Sequence, residues 1–209
     1  MSNFTLTASP ATDIWRKPPS KDIFNAPHTP PQSNPLPSFI SATLTIPSSG
    51  IYTTLYDQSG LLLTFTRTTT ATSTTSSSNP VQGSTGTSPE KWIKAGIEFY
   101  NSTPKLSVVS CDRWADWSVA PLVSDPSSPD WTTLSIEKET DEHGTSLWVY
   151  QVLEEGKRKE PIREICWVFG NDDNEEWEVG VSAMAARPAR GEELGELKVD
   201  IKNFEVKWE

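Results

Sequence analysis

The sequence lacks the features that mark several large classes of protein. It contains no basic stripe of the kind that neutralises nucleic-acid phosphates, and its net charge is −10. No apolar run approaches the roughly 18 residues of a membrane-spanning helix. The N-terminal stretch MSNFTLTASP has neither the basic region nor the apolar core of a secretory signal. We therefore expect a cytoplasmic protein that binds neither nucleic acid nor a membrane.

Metal-ligating and redox-active residues are also scarce. The chain has only two histidines, His28 and His143, and two cysteines that do not form a CxxC motif. This composition predicts no metal site and no cofactor. Cys111 and Cys166 could form a disulfide, but thiols in the cytoplasm stay reduced, so we expect both to be buried and unpaired.

Residues typical of β-structure are abundant. Thr, Ser, Val and Ile are plentiful, and the 209 residues include nine tryptophans. The length suits one domain with a substantial core, and we interpret residues 1–209 as a single domain. Nine tryptophans are more than packing usually demands, so we predict that some line a binding surface. The acidic excess lies in residues 91–209, with 14 basic and 24 acidic side chains, and is typical of a solvated surface.

From residue 39 onward, short β-rich segments follow one another at regular spacing. Each is bounded by Gly, Pro, Asn, Asp or Ser, and none has a convincing 3.6-residue periodicity. The predicted strands are residues 39–46, 51–57, 61–67, 92–100, 105–112, 117–123, 132–139, 147–153, 162–170, 177–185 and 197–208. This pattern predicts an all-β sandwich of the jelly-roll type.

Three segments depart from the strand pattern. Residues 1–38 are rich in proline, so we expect an extended arm across the sandwich, with two short strands or hooks at TDIWRKPP and DIFNAP. Residues 67–90 consist mainly of Thr, Ser and Gly, and we expect a flexible loop. The acidic run at 171–178 lacks the spacing and the glycine of a calcium-binding EF-hand loop, which favours a solvated turn.

Alternation within WIKAGIEFY separates a core face from a polar face. The apolar side consists of Ile93, Ala95, Ile97 and Phe99. The other side mixes charge with aromatic rings and consists of Trp92, Lys94, Gly96, Glu98 and Tyr100. Such a face suits a sugar or another polyol, because aromatic rings stack on the apolar faces of sugars and charged groups bind the hydroxyls. The alternative is that Lys94 and Glu98 only balance charges on neighbouring strands.

The same reasoning gives a set of candidate ligand-binding residues. They are Trp15, Tyr56, Asp57, Lys94, Glu98, Tyr100, Asp112, Trp117, Trp148 and Arg163. Structural alternatives stay open for several of them: Asp112 and Asp116 would cap turns, Trp117 would belong to the core, and Trp15 would plug an edge of the sandwich. If the protein is an enzyme, the predicted catalytic groups are Glu98, Asp116 and Lys94.

Four separated blocks resemble the signature of the regulation-of-enolase protein family, which occurs in fungi and is related to bacterial YesU-type proteins. The blocks are Asp57–Leu62, Trp92–Glu98, Leu106–Val109 and Ala115–Ser118, with further similarity at residues 13–19 and 22–27. The resemblance covers most of the chain. It implies a concanavalin-A-like lectin/glucanase jelly roll of two curved antiparallel sheets, with the ligand site on the concave face. It also implies a link to sugar metabolism.

Three functions stay open at this level. The first is a non-catalytic protein that binds a carbohydrate or small metabolite. The second is an enzyme acting on a glycoside or small metabolite as a hydrolase, lyase, isomerase or cyclase, although the ExDxE and ExDxxE motifs of concanavalin-like glucanases do not occur. The third is a regulator that binds a metabolic enzyme through the proline-rich arm and the acidic half of the chain.

Overall fold

The computed structural model describes residues 2–68, 88–170 and 176–209. Within these ranges the chain forms two six-stranded antiparallel sheets and one two-stranded hairpin, with short 3-10 helices and no α-helix. The strands are β1 Ser2–Ala8, β2 Ile14–Lys17, β3 Lys21–Phe24, β4 Gln32–Pro35, β5 Phe39–Pro47, β6 Gln58–Arg67, β7 Lys91–Tyr100, β8 Thr103–Cys111, β9 Ala115–Ala120, β10 Trp131–Asp141, β11 Gly144–Leu153, β12 Arg158–Ile165, β13 Trp177–Ala186 and β14 Leu197–Trp208. The 3-10 helices are Leu36–Ser38, Glu154–Gly156, Trp167–Phe169 and Glu192–Leu194. Among the described residues, no helix has the length and apolarity needed to cross a membrane.

The two large sheets enclose the main core. Sheet I has the order β1-β14-β5-β10-β11-β12, and sheet II has the order β4-β13-β6-β7-β8-β9. Alternate residues of both sheets point into the space between them and are fully buried, for example Leu44, Leu63, Ile93, Val149 and Val199. This architecture confirms the predicted all-β jelly-roll sandwich.

The central part of the N-terminal arm packs on the outer face of sheet II. Its strands β2 and β3 form a hairpin, and Ile14 is buried there in a second, smaller apolar cluster with Leu62, Trp92 and Val109. Arg16 fixes the hairpin to the chain before β7 by donating hydrogen bonds to the carbonyls of residues 89 and 90, at 2.9 and 2.8 Å. The two short strands therefore fall where the arm was predicted to have them.

Two strands were not predicted, and both lie at sheet edges. β1 pairs only with β14, and β4 pairs only with β13, among the described elements. Pro35 ends β4, which an edge strand tolerates because one side of its backbone needs no hydrogen-bond partner in the sheet.

Three predictions of local structure are wrong. Residues 51–57 form a loop rather than a strand. The strand predicted over 162–170 ends at Ile165, and a 3-10 turn follows in which Trp167 Nε1 donates to Ser110 Oγ at 2.7 Å. Both cysteines are free, as expected, but only Cys111 is buried; Cys166 is exposed because it lies in the turn beyond β12.

Two predictions cannot be compared with the structure over most of their length. The predicted flexible loop 67–90 includes residues 69–87, and the acidic run 171–178 includes residues 171–175. Both stretches lie outside the described residues.

A buried ion pair shapes the loop at 51–57. Asp57 is completely buried, and Arg187 Nε and Nη2 donate to its two carboxylate oxygens at 2.9 and 2.8 Å. The backbone amides of Thr53 and Thr54 donate to Oδ2 at 2.9 Å, and the Thr54 hydroxyl donates to Oδ1 at 2.7 Å. These local side-chain hydrogen bonds replace the ladder that a strand would need, which explains why the segment is a loop.

The surroundings of Asp57 favour its charged form. Burial opposes ionisation and would raise the pKa, but the hydrogen bonds from Arg187, Thr54 and Thr53 outweigh burial, and the net effect is a lowered pKa. Since Asp57 binds a proton less readily in the folded than in the unfolded state, its contribution to stability is present above the unfolded pKa and is lost as the pH falls through the folded pKa.

A pair of glycines brings two strands of sheet II unusually close. Gly60 on β6 is directly opposite Gly96 on β7. A Cβ atom at Gly96 would overlap the carbonyl oxygen of Ser59 and would lie 2.7 Å from Cα of Gly60. Both glycines belong to the outer face of the sheet, so the surface between Gln58 and the side chains of β7 carries no bulk at this point.

We predict that Asp57→Asn destabilises the protein by about 3–5 kcal/mol, because it leaves the Arg187 guanidinium buried without its counter-charge. Urea unfolding at neutral pH measures the change. The variant should also lose less stability than the wild type on acidification from about pH 4 downward, where the wild type begins to lose the contribution of ionised Asp57. Asp116→Asn is the control, since it breaks an exposed Asp–Arg pair worth about 0–1 kcal/mol. Equal losses in the two variants would contradict the prediction.

Gly96→Ala should cost about 1–3 kcal/mol or more, because the added methyl group forces β6 and β7 apart. The matched control is Gly170→Ala, where a Cβ meets only the carbonyl of Trp167 at 3.6 Å, an ordinary contact. Thermal and urea unfolding of both variants check this, and a Gly96 variant as stable as the control would show that the strands can separate freely.

Candidate ligand-binding site

A pocket of about 540 Å³ lies on the outer face of sheet II, beside the β2–β3 hairpin. Its lining residues are Ala11, Asp13, Trp15, Lys17, Lys21, Ile23, Tyr56, Gln58, Lys94, Glu98, Trp117, Pro188 and Arg190. The hairpin, the loop before β6 and the segment after β13 supply the walls, and β6, β7 and β9 supply the floor. Lys94 and Glu98, the two charged residues on the predicted polar face of β7, therefore lie in a pocket rather than in open solvent.

The hairpin presents one of its two faces to the pocket. Trp15 pairs with Ile23, and Lys17 pairs with Lys21, so these four side chains share a face. All four line the pocket. The residues that alternate with these four, including Ile14, project to the other side of the hairpin. There Ile14 joins the apolar cluster on sheet II.

Lys94 lies at the floor of the pocket and is only 5% exposed. Its Nζ donates to Gln58 Oε1 at 2.6 Å, lies 3.7 Å from Asp13 Oδ1, and is 5.9 Å from the centre of the Trp15 ring. Burial lowers the pKa of Lys94, and the nearby charges of Asp13 and Glu98 oppose that effect only in part. Lys94 is therefore a firmly positioned donor that loses its proton more easily than an ordinary lysine.

Only one of the two carboxylate oxygens of Glu98 accepts hydrogen bonds from the described residues. Its Oε2 accepts hydrogen bonds from Ser107 Oγ at 2.5 Å and from Trp117 Nε1 at 3.0 Å. Its Oε1 has no hydrogen-bond partner among the described residues, although the side chain is 5% exposed and lines the pocket. One carboxylate oxygen is thus available to accept hydrogen bonds from a ligand.

Aromatic rings form the wall beside Glu98. Trp117 meets Tyr56 and Tyr100 edge-on, with ring centroids 6.2 and 5.0 Å apart, and the two tyrosines stack on each other at 5.9 Å. Tyr56 has a positive φ of 68°, which is strained for a non-glycine residue and places its ring at the pocket. The cluster fixes the orientation of Trp117 and offers ring faces and edges to a ligand.

The structure brings together half of the ten predicted ligand-binding residues. Trp15, Tyr56, Lys94, Glu98 and Trp117 line the pocket. Tyr100 packs behind Trp117 and supports the wall.

The predicted acid pair of Glu98 and Asp116 is not assembled. Asp116 neighbours Trp117 on β9, so alternation sends its side chain to the opposite face from the pocket. There it forms an exposed salt bridge with Arg163, which lies on the edge strand β12 of sheet I. Asp116 and Arg163, both predicted to contact the ligand, therefore lie outside this pocket.

Three more predicted residues lie outside the pocket. Asp57 is buried against Arg187 and does not reach the cavity. Asp112 is exposed at the end of β8 and pairs with Lys91 at 2.6 Å. Trp148 lies on β11 of sheet I, where alternation with core residues turns it to the outer face and it stacks on Tyr150 at 6.0 Å. It therefore belongs to the far side of the sandwich.

Several pocket residues were missed by the sequence reasoning. Asp13 and Gln58 lie inside DIWRKPP and DQSGLL, two of the blocks that carry the family resemblance, so a signal for them existed. Lys17 and Lys21 could have been found once β2 and β3 were paired as a hairpin. Arg190 follows β13 in a segment without any recognisable motif, and nothing in the local sequence points to it.

The arrangement can bind, orient and exchange protons with a small polar molecule. It combines ring faces, amide and ammonium donors, and carboxylate acceptors in one cavity. Among the described residues, no group of three or more His, Cys, Asp or Glu side chains could hold a metal ion. A second depression, of about 500 Å³, adjoins the pocket and shares Ala11 and Arg190 with it.

Comparisons with solved structures show the fold. The chain is similar to a functionally unknown protein from Saccharomyces cerevisiae, with a TM-score of 0.62 and 21% identity over 99% of this chain and 88% of that one. It is also similar to part of a GH43 protein, BlXynB, from Bacillus licheniformis, with a TM-score of 0.51 and 14% identity over 82% of this chain but only 28% of that one. At these identities the likeness extends to the architecture alone.

Comparisons of sequence give a relative of higher identity and a family match. An uncharacterized protein of Emericella nidulans is 39% identical over 188 residues, which is 90% of this chain and 78% of that protein. The model of the family described as "protein of unknown function (DUF1349)" matches residues 1–208. A match of this extent shows that the chain belongs to the DUF1349 family.

Proposed function

We propose that the protein binds a small, hydroxyl-rich ligand, a carbohydrate or a related metabolite, in the pocket beneath the N-terminal hairpin. The observation that carries the proposal is the combination of Trp15 and Trp117 with the buried polar side chains of Lys94 and Glu98 in one cavity. Its volume of about 540 Å³ falls within the range of small-molecule sites, about 300–1,000 Å³. Aromatic faces beside fixed donors and acceptors are what a polyol ring requires.

Binding without chemistry is the function that the polar groups support best. The carboxyl groups that line the pocket are those of Asp13 and Glu98. Asp13 Oδ1 accepts the backbone amide of Ile14 at 2.8 Å and lies near Lys94, so it acts as an organiser of the site. Glycoside hydrolysis requires two free carboxyl groups across the scissile bond. Asp116, the predicted partner of Glu98 in such a pair, lies outside the pocket.

A catalytic role for Lys94 is the alternative that one observation favours. Its lowered pKa, caused by burial, makes its amine a better general base or nucleophile than an ordinary lysine. With the free oxygen of Glu98 in the same pocket, such a site would suit a lyase, isomerase or cyclase acting on a small carbonyl or hydroxyl compound.

Regulation of a glycolytic enzyme through protein contact, and a cytoplasmic location, rest on the resemblance and composition of the sequence. Both stay predictions. The pocket geometry bears on neither of them, since it concerns a small ligand.

The binding proposal predicts that Trp15→Ala weakens any pocket ligand roughly three- to tenfold, through loss of one aromatic contact. A thermal-shift screen over neutral and charged sugars identifies ligands, and isothermal titration calorimetry measures their affinities. Trp148→Ala is the matched control, because it removes an indole from the far side of the sandwich. A ligand that responds to the Trp148 variant and not to the Trp15 variant would place binding elsewhere, and a screen without any ligand would refute the proposal.

The variant Lys94→Gln distinguishes a binding function from a catalytic one. We expect the wild type to return a bound ligand unchanged after long incubation, as followed by NMR of the ligand, and we expect the variant to bind it more weakly. Lys159→Gln, which removes a lysine paired with Glu137 on sheet I, should leave affinity unaltered. Turnover by the wild type that is abolished in Lys94→Gln while binding persists would establish the catalytic alternative instead.

A further inference from the structure

The pocket is locally basic in a protein that is strongly acidic. Its lining contains four cationic side chains and two carboxylates, those of Asp13 and Glu98, which gives a formal charge of +2. The chain as a whole carries −10. The net charge of the chain would not predict a positively charged cavity, so the charge of the cavity comes from the particular residues that line it.

Three cations that line the pocket lack counter-ions among the residues that the structure describes. Lys17, Lys21 and Arg190 form no ion pair among the described residues, whereas the buried Lys94 has Asp13 nearby. Glu196 shares the adjoining depression with Arg190 but makes no salt bridge with it. Three positive charges therefore converge on the cavity without being neutralised.

Two of these cations are placed directly opposite each other. Lys17 and Lys21 are cross-strand partners in the β2–β3 hairpin, and like charges in this position destabilise a strand pair. The next pair in the hairpin, Arg16 and Asp22, is of opposite sign and forms a salt bridge of 3.2 Å on the other face. On the face away from the pocket, the charged side chains of the hairpin form a salt bridge. On the face toward the pocket, the two lysines have no ion-pair partner among the described residues.

We infer that the ligand is an anion: a hydroxyl-rich compound whose carboxylate or phosphate group sits among Lys17, Lys21 and Arg190. The inference rests on the proposed binding function and specifies its ligand class. The ring of the ligand contacts Trp15 and Trp117, its hydroxyls meet Lys94 and Glu98 at the floor, and its charge relieves the repulsion between the two hairpin lysines.

A matched series of sugars tests the inference. Glucose, glucuronate and glucose 6-phosphate share a pyranose ring and differ at one position, where they carry a hydroxymethyl, a carboxylate or a phosphate group. We expect the better of the two anions to bind at least about tenfold more tightly than glucose at low salt, from exposed charge pairs acting together. About 0.5 M sodium chloride should remove most of the difference. The two anions distinguish carboxylate from phosphate recognition, and inorganic phosphate shows whether the anion alone suffices.

The double variant Lys17→Gln/Lys21→Gln should lose the preference for the anion, so that the ratio of its affinities for the anion and for glucose falls toward one. The control is Lys157→Gln/Lys198→Gln, which changes the net charge equally without touching the pocket. Equal affinities of the three sugars for the wild type would overturn the inference and leave the binding proposal intact. Binding of none of them, or an anion preference that survives in the double variant, would also overturn it, and the Trp15 and Trp148 variants then decide the binding proposal separately.

Discussion

The ion pair between Asp57 and Arg187 is the constraint on which the pocket depends. It ties the loop before β6 to the end of β13, and residues beside each partner reach the site. Tyr56 and Gln58 adjoin Asp57 in sequence and form one wall and part of the floor, while residues 188 and 190 follow Arg187 and form another wall. The backbone of Arg187 also pairs with Thr12, immediately before Asp13, so the ion pair fixes the start of the arm as well. Buried pairs of this kind add little to net stability but are costly to break, which suits a role in positioning.

Lys94 and Glu98 carry charge on a face that the arm covers. Burying charge is unfavourable unless polar partners compensate. Lys94 donates a hydrogen bond to Gln58 and lies near the carboxylate of Asp13, and Glu98 accepts hydrogen bonds from Ser107 and Trp117. Two apolar residues would fill the same positions at lower cost, as Leu62 and Val109 do nearby. Buried charged side chains that line a cavity and keep a free hydrogen-bonding atom are typical of binding or catalytic sites.

The sequence predicted the parts of this site that local alternation controls. Most strands of the two sheets, though not the edge strands β1 and β4, and the polar face of β7 followed from sequence patterns, because a half-buried strand shows its two faces directly in sequence. Alternation also contained the correction for Asp116, since Trp117 and Asp116 cannot share a face. What escaped prediction depends on distant contacts: the loop at 51–57 is shaped by Arg187, which is 130 residues away, and Arg190 reaches the pocket only through the path of the chain after β13. Single-sequence patterns carry no information on such pairings.

The distribution of charge explains how an acidic protein can favour an anion. The acidic excess belongs to residues 91–209, whereas the arm that carries Lys17 and Lys21 belongs to a part of the chain with equal numbers of acidic and basic side chains. At physiological ionic strength, interactions between exposed charges are screened beyond about 8 Å, so the field inside the pocket is set by its own lining and not by remote carboxylates. In the proposed mode of binding, the sheet supplies Lys94 and Glu98 for the hydroxyls of the ligand, and the arm supplies Lys17 and Lys21, two of the three cations for its charge. Because the hairpin lysines and the polar groups of the sheet come from separate segments, the preference for a charged ligand depends on different residues from those that contact its hydroxyls.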